Sequence, residues 1–363
     1  MIQTRIAIVG AGLSGLYAAY LLEQANISDY LVLEARDRLG GRIYTQHGFD
    51  LGATWIWPEL NPELMQLVNQ LKLPYFKQFE QGKLLFERQR GMPPVQLENR
   101  WTTTPSIRLE GGMGSLIHAL AQQIPLQKIL TQQQVTHLTA QGQGSIYLNT
   151  KDQTDAETIV DADYVLIALS PRLAAQHLVF SAPLPAALLS QWHQTATWMA
   201  PHAKYVAVYP EAFWKQQGLS GQVSSQVGPM GEIHDASTRN GHAALFGFLG
   251  IPATMRQKVS EQDLMAHCRA QLVRLFGSEG ANPAHEFIKD WSADAFTATE
   301  ADWRNPAAVH GSAPAITPDN SLWKNRIIGI ASEWSPNYSG YLAGAIEAAQ
   351  LGVQRIQQSC KHQ

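Results

Sequence analysis

Ile6-Ala7-Ile8-Val9-Gly10-Ala11-Gly12-Leu13-Ser14-Gly15 decides the fold of this 363-residue chain: an apolar strand runs into a G-x-G-x-x-G turn that opens a helix. Leu13 to Leu22 has helical character and Tyr30 to Leu33 is apolar again, so residues 5 to 34 predict a βαβ unit. Each glycine has its own task. Gly10 permits the tight turn, Gly12 lets the backbone approach a pyrophosphate, and Gly15 lets helix and strand pack closely. The helix N-terminus adds N–H donors and a positive dipole end that favour an anion there. Glu34 ends the second strand nineteen positions after Gly15, where a carboxylate accepts hydrogen bonds from ribose hydroxyls.

Outward from this unit, helices and strands alternate. Glu63 to Leu71, His118 to Gln123 and Glu261 to Phe276 are expected as helices, the last placing Leu264, Cys268, Leu272 and Leu275 on one core-facing stripe. Ile146 to Leu148, the continuously apolar Tyr164 to Leu169, and Tyr205 to Tyr209 are expected as strands. Gly- and Pro-bearing stretches at Gly91 to Pro105, Pro201 and Asn305 to Pro318 are candidate domain crossings. No repeat of solenoid or propeller length is visible.

Composition removes several function classes. A net charge of -3 lacks the cationic footprint of a nucleic-acid binder. Only Cys268 and Cys360 are present, which rules out a disulfide framework and points to a reducing cytoplasm. The N-terminus carries no basic n-region and no run is long enough for a membrane span, so a soluble protein without membrane partners is expected. His118, His193, His202, His234, His267 and His285 show no metal-ligand pairing, and no G-x-S-x-G appears, so metalloenzyme and hydrolase readings fall away.

Immediately after the fingerprint, Glu34-Ala35-Arg36-Asp37-Arg38-Leu39-Gly40-Gly41-Arg42 sets three arginines around a glycine pair. Guanidinium groups suit phosphate, and the glycines allow close backbone approach to a ligand; a solvated charge cluster is the alternative. Together with Asp50-Leu51-Gly52-Ala53-Thr54-Trp55, this segment resembles the N-terminus of the flavin amine oxidases, the family of monoamine and polyamine oxidases. Gly111-Gly112-Met113-Gly114-Ser115-Leu116 is similar to the family's glycine turn before a helix. At the far end, Ile327 to Glu333 reads as a strand ending in an acid, and Ser339-Gly340-Tyr341-Leu342 as a loop entering a helix, which resembles the family's closing signature.

The resemblance implies an α/β flavoprotein with a Rossmann-like FAD-binding domain over residues 1–75, 106–195 and 305–363, and a smaller α+β substrate domain over 76–105 and 196–304. Only Lys77 to Pro105 stands where the family inserts a long helical block. FAD is expected to contact Gly10, Gly12, Leu13, Ser14, Gly15, Glu34, Ala35, Arg36, Gly41, Arg42, Gly52, Ala53, Thr54, Trp55, Val135, Glu333, Gly340, Tyr341 and Leu342. Glu300 falls where some members carry a flavin-linked cysteine, which implies noncovalent FAD.

Two catalytic residues follow from the same resemblance. Lys204, at the head of the strand Lys204 to Tyr209, matches the family's flavin-facing lysine and shares a face with Val206 and Val208; a strand-end lysine that snorkels to solvent is the alternative. Tyr341 matches the active-site aromatic, against the alternative of a packed tyrosine with its hydroxyl bonded. The opposing aromatic falls on Ala301, so Trp55, Trp57 or Trp303 would have to complete a cage. The implied reaction is oxidation of an amine to an imine with O2 reduced to hydrogen peroxide. A desaturase or dehydrogenase using another acceptor, and a catalytically silent FAD-binding partner, are the competing functions.

Overall fold

The computed structural model describes the chain except residues 99–103, 142–143, 240, 305, 307–309, 320–321 and 362–363, and the side chains of Cys360 and Lys361. Parts of the Gly91–Pro105 and Asn305–Pro318 stretches, and the Cys360 thiol, therefore lie outside the described residues. The chain forms two compact units, one of residues 1–43, 116–198 and 295–363, the other of 44–115 and 199–294.

In the first unit, strands Tyr30–Leu33, Ile2–Val9 and Glu157–Ile167 run parallel at the centre of an eight-stranded sheet. The eleven-residue strand Glu157–Ile167 serves two neighbours on one side: Ile146–Lys151 pairs antiparallel with its first half, and Ile327–Gly329 pairs parallel with its second. That is why it is longer than its apolar stretch suggests: Thr158 to Asp161 pair in the ladder without being a continuous hydrophobic run. Val9, Leu33, Val165, Ile167 and Ile327 fill the core on one face together with Trp192, Trp323 and Trp334. Helices Leu13–Gln24 and Leu342–Lys361 pack against each other, with Gln350 Nε2 donating to Tyr17 Oη at 3.1 Å.

The parallel strands share one carboxyl edge, made of Gly10, Glu34, Ala168 and Ile330. Gly10 N–H donates to Leu33 O at 2.7 Å, Ala168 N–H to Val9 O at 2.8 Å, and Ile330 N–H to Ile167 O at 2.8 Å. Ligands of doubly wound sheets bind outside that edge. Glu333 does not end a strand as expected. The strand stops at Gly329, where a Cβ would lie 2.2 Å from the Trp334 ring, and a 3-10 turn, Ser332–Trp334, carries the acid instead.

In the second unit, a seven-stranded sheet runs in the order His285–Asp290, Ala203–Tyr209, Ala243–Leu249, Met230–Asp235, Leu219–Ser225, Lys83–Glu87, Val95–Leu97. Helix Glu261–Phe276 covers one face through Leu264, Cys268, Leu272 and Leu275, which meet Tyr205, Ala207 and Tyr209. Its start is fixed by Ser260, which accepts a hydrogen bond from Asp263 N–H. Phe49 and Leu51 pack on the opposite face with Val206, Val208 and Phe246.

The units part at 43/44, 115/116, 198/199 and 294/295, whereas the sequence expectation set the crossings at 75, 105, 195 and 304. The cause is apolar: Phe49 and Leu51 pack on Val206, Val208 and Phe246 of the second sheet, and the Ile56–Ile107 bridge holds the 44–115 segment together, so Gly52 to Trp55 lie in that unit. The helix expected from His118 begins earlier, at Gly114. No helix among the described residues is long and apolar enough to cross a membrane.

Candidate active site

The cradle of the first unit is built from backbone. Gly10 adopts φ +105°, outside the range of L side chains. A Cβ on Gly15 would sit 1.9 Å from Gly10 O, so the turn closes only around a glycine. Gly12 differs. Its added Cβ would meet Gly40 O and Gly41 Cα at 3.9 Å, an ordinary van der Waals distance, so this glycine relieves no clash within the chain. Gly40 N–H donates to Ala11 O at 2.8 Å and locks the second glycine pair against the first turn. A pyrophosphate suits such a turn, because Gly10, Gly12 and Gly15 put no side chain at the N-terminus of helix Leu13–Gln24.

Glu34 is 3 % exposed and accepts from Ala11 N–H at 2.7 Å and Arg36 N–H at 2.9 Å. Each carboxylate oxygen thus accepts one backbone N–H from the turn, and the Arg36 guanidinium stands 3.7 Å from Oε1. Ala35 continues from it, and Gln132 and Gln133 N–H groups donate to Arg36 O and Glu34 O at 2.9 and 2.8 Å. These bonds bring the chain before Val135 alongside Glu34; strand pairing then shifts register between Val135 and His137, an irregularity that re-aims backbone groups.

The arginines divide their work. Arg36 reaches Thr297 Oγ1 at 2.9 Å and lies over the Phe296 ring at 5.3 Å. Arg38 donates to Leu39 O, Ile43 O and Gly41 O, so it braces the glycine loop from within the chain. Arg42 forms a two-pronged ion pair with Glu333 at 2.6 and 2.9 Å and bonds Ser332 Oγ at 3.1 Å. The two distant motifs therefore meet: Gly41-Arg42 and Ser332-Glu333 are one constellation.

Beyond it, Gly340 at φ +81° turns the chain into the helix that Leu342 begins. Tyr341 is 48 % exposed, not packed away. Its ring stacks on His310, centroids 4.1 Å apart, and His310 stacks on Trp198 at 3.8 Å. Ala301, expected opposite Tyr341, is instead exposed on the short helix Glu300–Arg304, which Asp302 ties down by accepting from Arg172, Thr197 N–H and Thr299. Trp303 lies beside the Arg304 guanidinium at 5.6 Å.

The second unit holds the lysine. Lys204 is 2 % exposed, which eliminates the snorkelling alternative. Its Nζ donates to Gly52 O at 3.2 Å and to Thr54 Oγ1, and lies 3.9 Å from the Phe246 ring centroid and 5.5 Å from that of Phe248. The Gly52 to Trp55 loop supplies both acceptors and a wall: Trp55 packs on Phe246 at 5.3 Å and on Trp57 at 6.1 Å, its Nε1 donating to Gln78. Ala53 joins the two acceptor residues. Phe246 and Phe248 escaped the sequence reading because antiparallel pairing, Lys204 opposite Phe248 and Val206 opposite Phe246, brings them in from forty residues away.

Burial pushes the Lys204 ammonium down to about 7, with Asp50 opposing and Arg108 reinforcing the shift. Asp50 is pushed up by burial and held by Met113 N–H at 2.8 Å and Thr45 Oγ1 at 2.5 Å. Between pH 7 and 10.5 the folded protein binds fewer protons at Lys204 than the unfolded chain does, so this group's contribution to stability rises with pH across that window. Melting of the wild-type protein and Lys204→Met at pH 7 and pH 9 checks this: the wild type gains on the variant at pH 9, and a loss would contradict the buried-cation assignment.

Comparison with known proteins gives concordant results. The family model of flavin containing amine oxidoreductases matches residues 75–357, and that of NAD(P)-binding Rossmann-like domains matches residues 8–71. Flavin-containing amine oxidase B of Sus scrofa is 21 % identical over 461 aligned positions, covering 97 % of this chain and 85 % of that protein. Polyamine oxidase 3 of Oryza sativa subsp. japonica is 37 % identical over 86 positions, 22 % of this chain and 17 % of that one. Among solved structures, putrescine oxidase bound to putrescine superposes with a TM-score of 0.78 at 18 % identity over 98 % of this chain and 99 % of that one. Cyclohexylamine oxidase from Brevibacterium oxydans IH-35A reaches 0.79 at 19 % identity over 99 % of each chain.

Proposed function

Because this chain belongs to the flavin-containing amine oxidoreductase family, we propose that it oxidises a small aliphatic amine to the imine with oxygen as final acceptor, Lys204 and Tyr341 acting at the reacting atoms. It is an FAD-dependent oxidoreductase, and its reaction is amine oxidation. When bound, FAD supplies the acceptance of a hydride equivalent from the amine α-carbon and the onward transfer to O2 that gives hydrogen peroxide. Water then hydrolyses the imine to a carbonyl compound and ammonia. The putrescine and cyclohexylamine oxidases of similar fold support an aliphatic substrate.

The chain's own residues do four things. Gly10 to Gly15, with Glu34 and Arg36, hold the adenosine diphosphate end, and Gly41, Arg42 and Glu333 the ribitol-phosphate side. The N-terminus of the helix begun at Leu342, with its free N–H groups and positive dipole end, would favour the negative charge of a reduced flavin held beside it. The ring of Tyr341 orients the amine. Lys204 holds the proton that matters most. With two hydrogen bonds spent on Gly52 O and Thr54 Oγ1, its neutral form has a lone pair to spare and its charged form a third N–H, so Nζ takes up or yields a proton near pH 7 and orders a water. That buried amino group, aromatic-walled and poised between two charge states, is the observation that carries the reading.

Assay of aerobic reaction mixtures with butylamine, putrescine and cyclohexylamine tests it. Peroxide and ammonia released together confirm the oxidase; amine consumed without peroxide would mean another acceptor. FAD is held without a covalent bond: Cys268 is fully buried, and burial pushes its thiol up to about 12, leaving it inert. Acid precipitation should leave all flavin in the supernatant, and flavin retained in the pellet would refute this. Cysteine usage also supports residence in the reducing cytoplasm.

A further inference from the structure

The ring that faces Tyr341 is a histidine that the sequence motifs pass over. Trp198 and Tyr341 lie within 3.8 and 4.1 Å of the same imidazole centroid, at interplanar angles of 30° and 23°. Two rings that close cannot share one face without colliding, so His310 is sandwiched between them. The two outer rings are anchored. Trp198 follows Thr197, whose N–H donates to the buried carboxylate of Asp302 at 3.0 Å, and Tyr341 N–H donates to Tyr338 O at 3.0 Å at the head of the last helix.

The imidazole between them has one unpaired nitrogen. Its Nδ1 is buried without a hydrogen-bond partner and lies where a Cβ on Gly340 would come within 2.8 Å. Gly311 follows, and a Cβ there would meet nothing within 4 Å. Burial also lowers the imidazole's proton affinity, against Ser339 and Glu333, so the ring between the aromatics is neutral at pH 7.

We propose that His310 is a specificity-determining residue: its imidazole fills the slot between Trp198 and Tyr341, excluding aromatic amines while slim aliphatic amines pass beside the stack. The slot has the width of one flat ring, because one flat ring occupies it. Removing the imidazole leaves a space a phenyl group fits, backed on both faces by rings that stack on it. This inference rests on the amine oxidase reading above.

The test compares FAD-loaded wild type, His310→Ala and His310→Phe. In His310→Ala, kcat/KM for benzylamine relative to butylamine should rise about tenfold, since about 1.4 kcal/mol is a factor of ten. In His310→Phe, whose ring still fills the slot, the ratio should stay at or below the wild-type value. Calorimetric titration with benzamidine, an aromatic probe with no oxidisable C–H beside nitrogen, should show about tenfold tighter binding to His310→Ala alone. An unchanged ratio and unchanged benzamidine affinity in His310→Ala would overturn the proposal, as would a rise of similar size in His310→Phe. If no amine is turned over by any of the three proteins, the amine oxidase reading fails, and the benzamidine titration still decides whether His310 occupies the slot.

Discussion

Lys204→Met should keep its FAD and lose turnover by about a hundredfold, the lower end of what a positioned proton-transfer group contributes. The side chains are of similar length, so the aromatic wall of Phe246 and Phe248 loses little packing. What disappears is the nitrogen. Removing a cation that burial already destabilises need not weaken the fold, because a buried charge replaced by an apolar group of like volume is often neutral or stabilising. Steady-state rates, and the rate at which reduced enzyme recovers its absorbance in air, separate the two half-reactions. A wild-type rate in both would return Lys204 to a structural role.

The second large effect divides two glycines that a motif search treats alike. Gly15→Ala brings a Cβ to 1.9 Å from Gly10 O and 3.3 Å from the Ala168 Cβ, so the turn must open, and both stability and FAD retention should fall. Gly12→Ala meets only ordinary contacts at 3.9 Å, and Gly12 sits at φ -72°, which alanine adopts freely. Its melting temperature after cofactor removal should therefore match the wild type, while FAD affinity drops by roughly tenfold or more because the methyl group stands where the pyrophosphate approaches. Flavin absorbance per protein and melting of the stripped proteins give both readouts. Equal FAD content in Gly12→Ala and wild type would mean that the pyrophosphate does not approach Gly12.

These cases show what the sequence makes legible. The glycine turn, Glu34 and the arginine segment are local: each residue's part follows from neighbours within about thirty positions, and a φ only glycine adopts leaves a mark in the sequence. Lys204 was legible as a position but not as an environment. Its aromatic wall comes from strand register, and its charge balance from Asp50 and Arg108, none of which is implied by the residues around 204. Arg38 and Arg42 illustrate the same limit. Both carry guanidinium groups in one motif, yet Arg38 braces its own loop whereas Arg42 clasps Glu333. His310 was illegible because stacking between rings at 198, 310 and 341 has no period and no spacing to detect. The unit boundaries were displaced for a related reason: Phe49 and Leu51 follow cofactor-binding motifs in sequence but find their apolar partners in the second sheet.

The most direct test of the account is an anaerobic absorbance titration of the purified, FAD-loaded protein with putrescine, cyclohexylamine and butylamine. The flavin bands should bleach with at least one of these amines and recover, with peroxide formed, when air is admitted. Bands that stay oxidised with every amine would contradict amine oxidation by this chain.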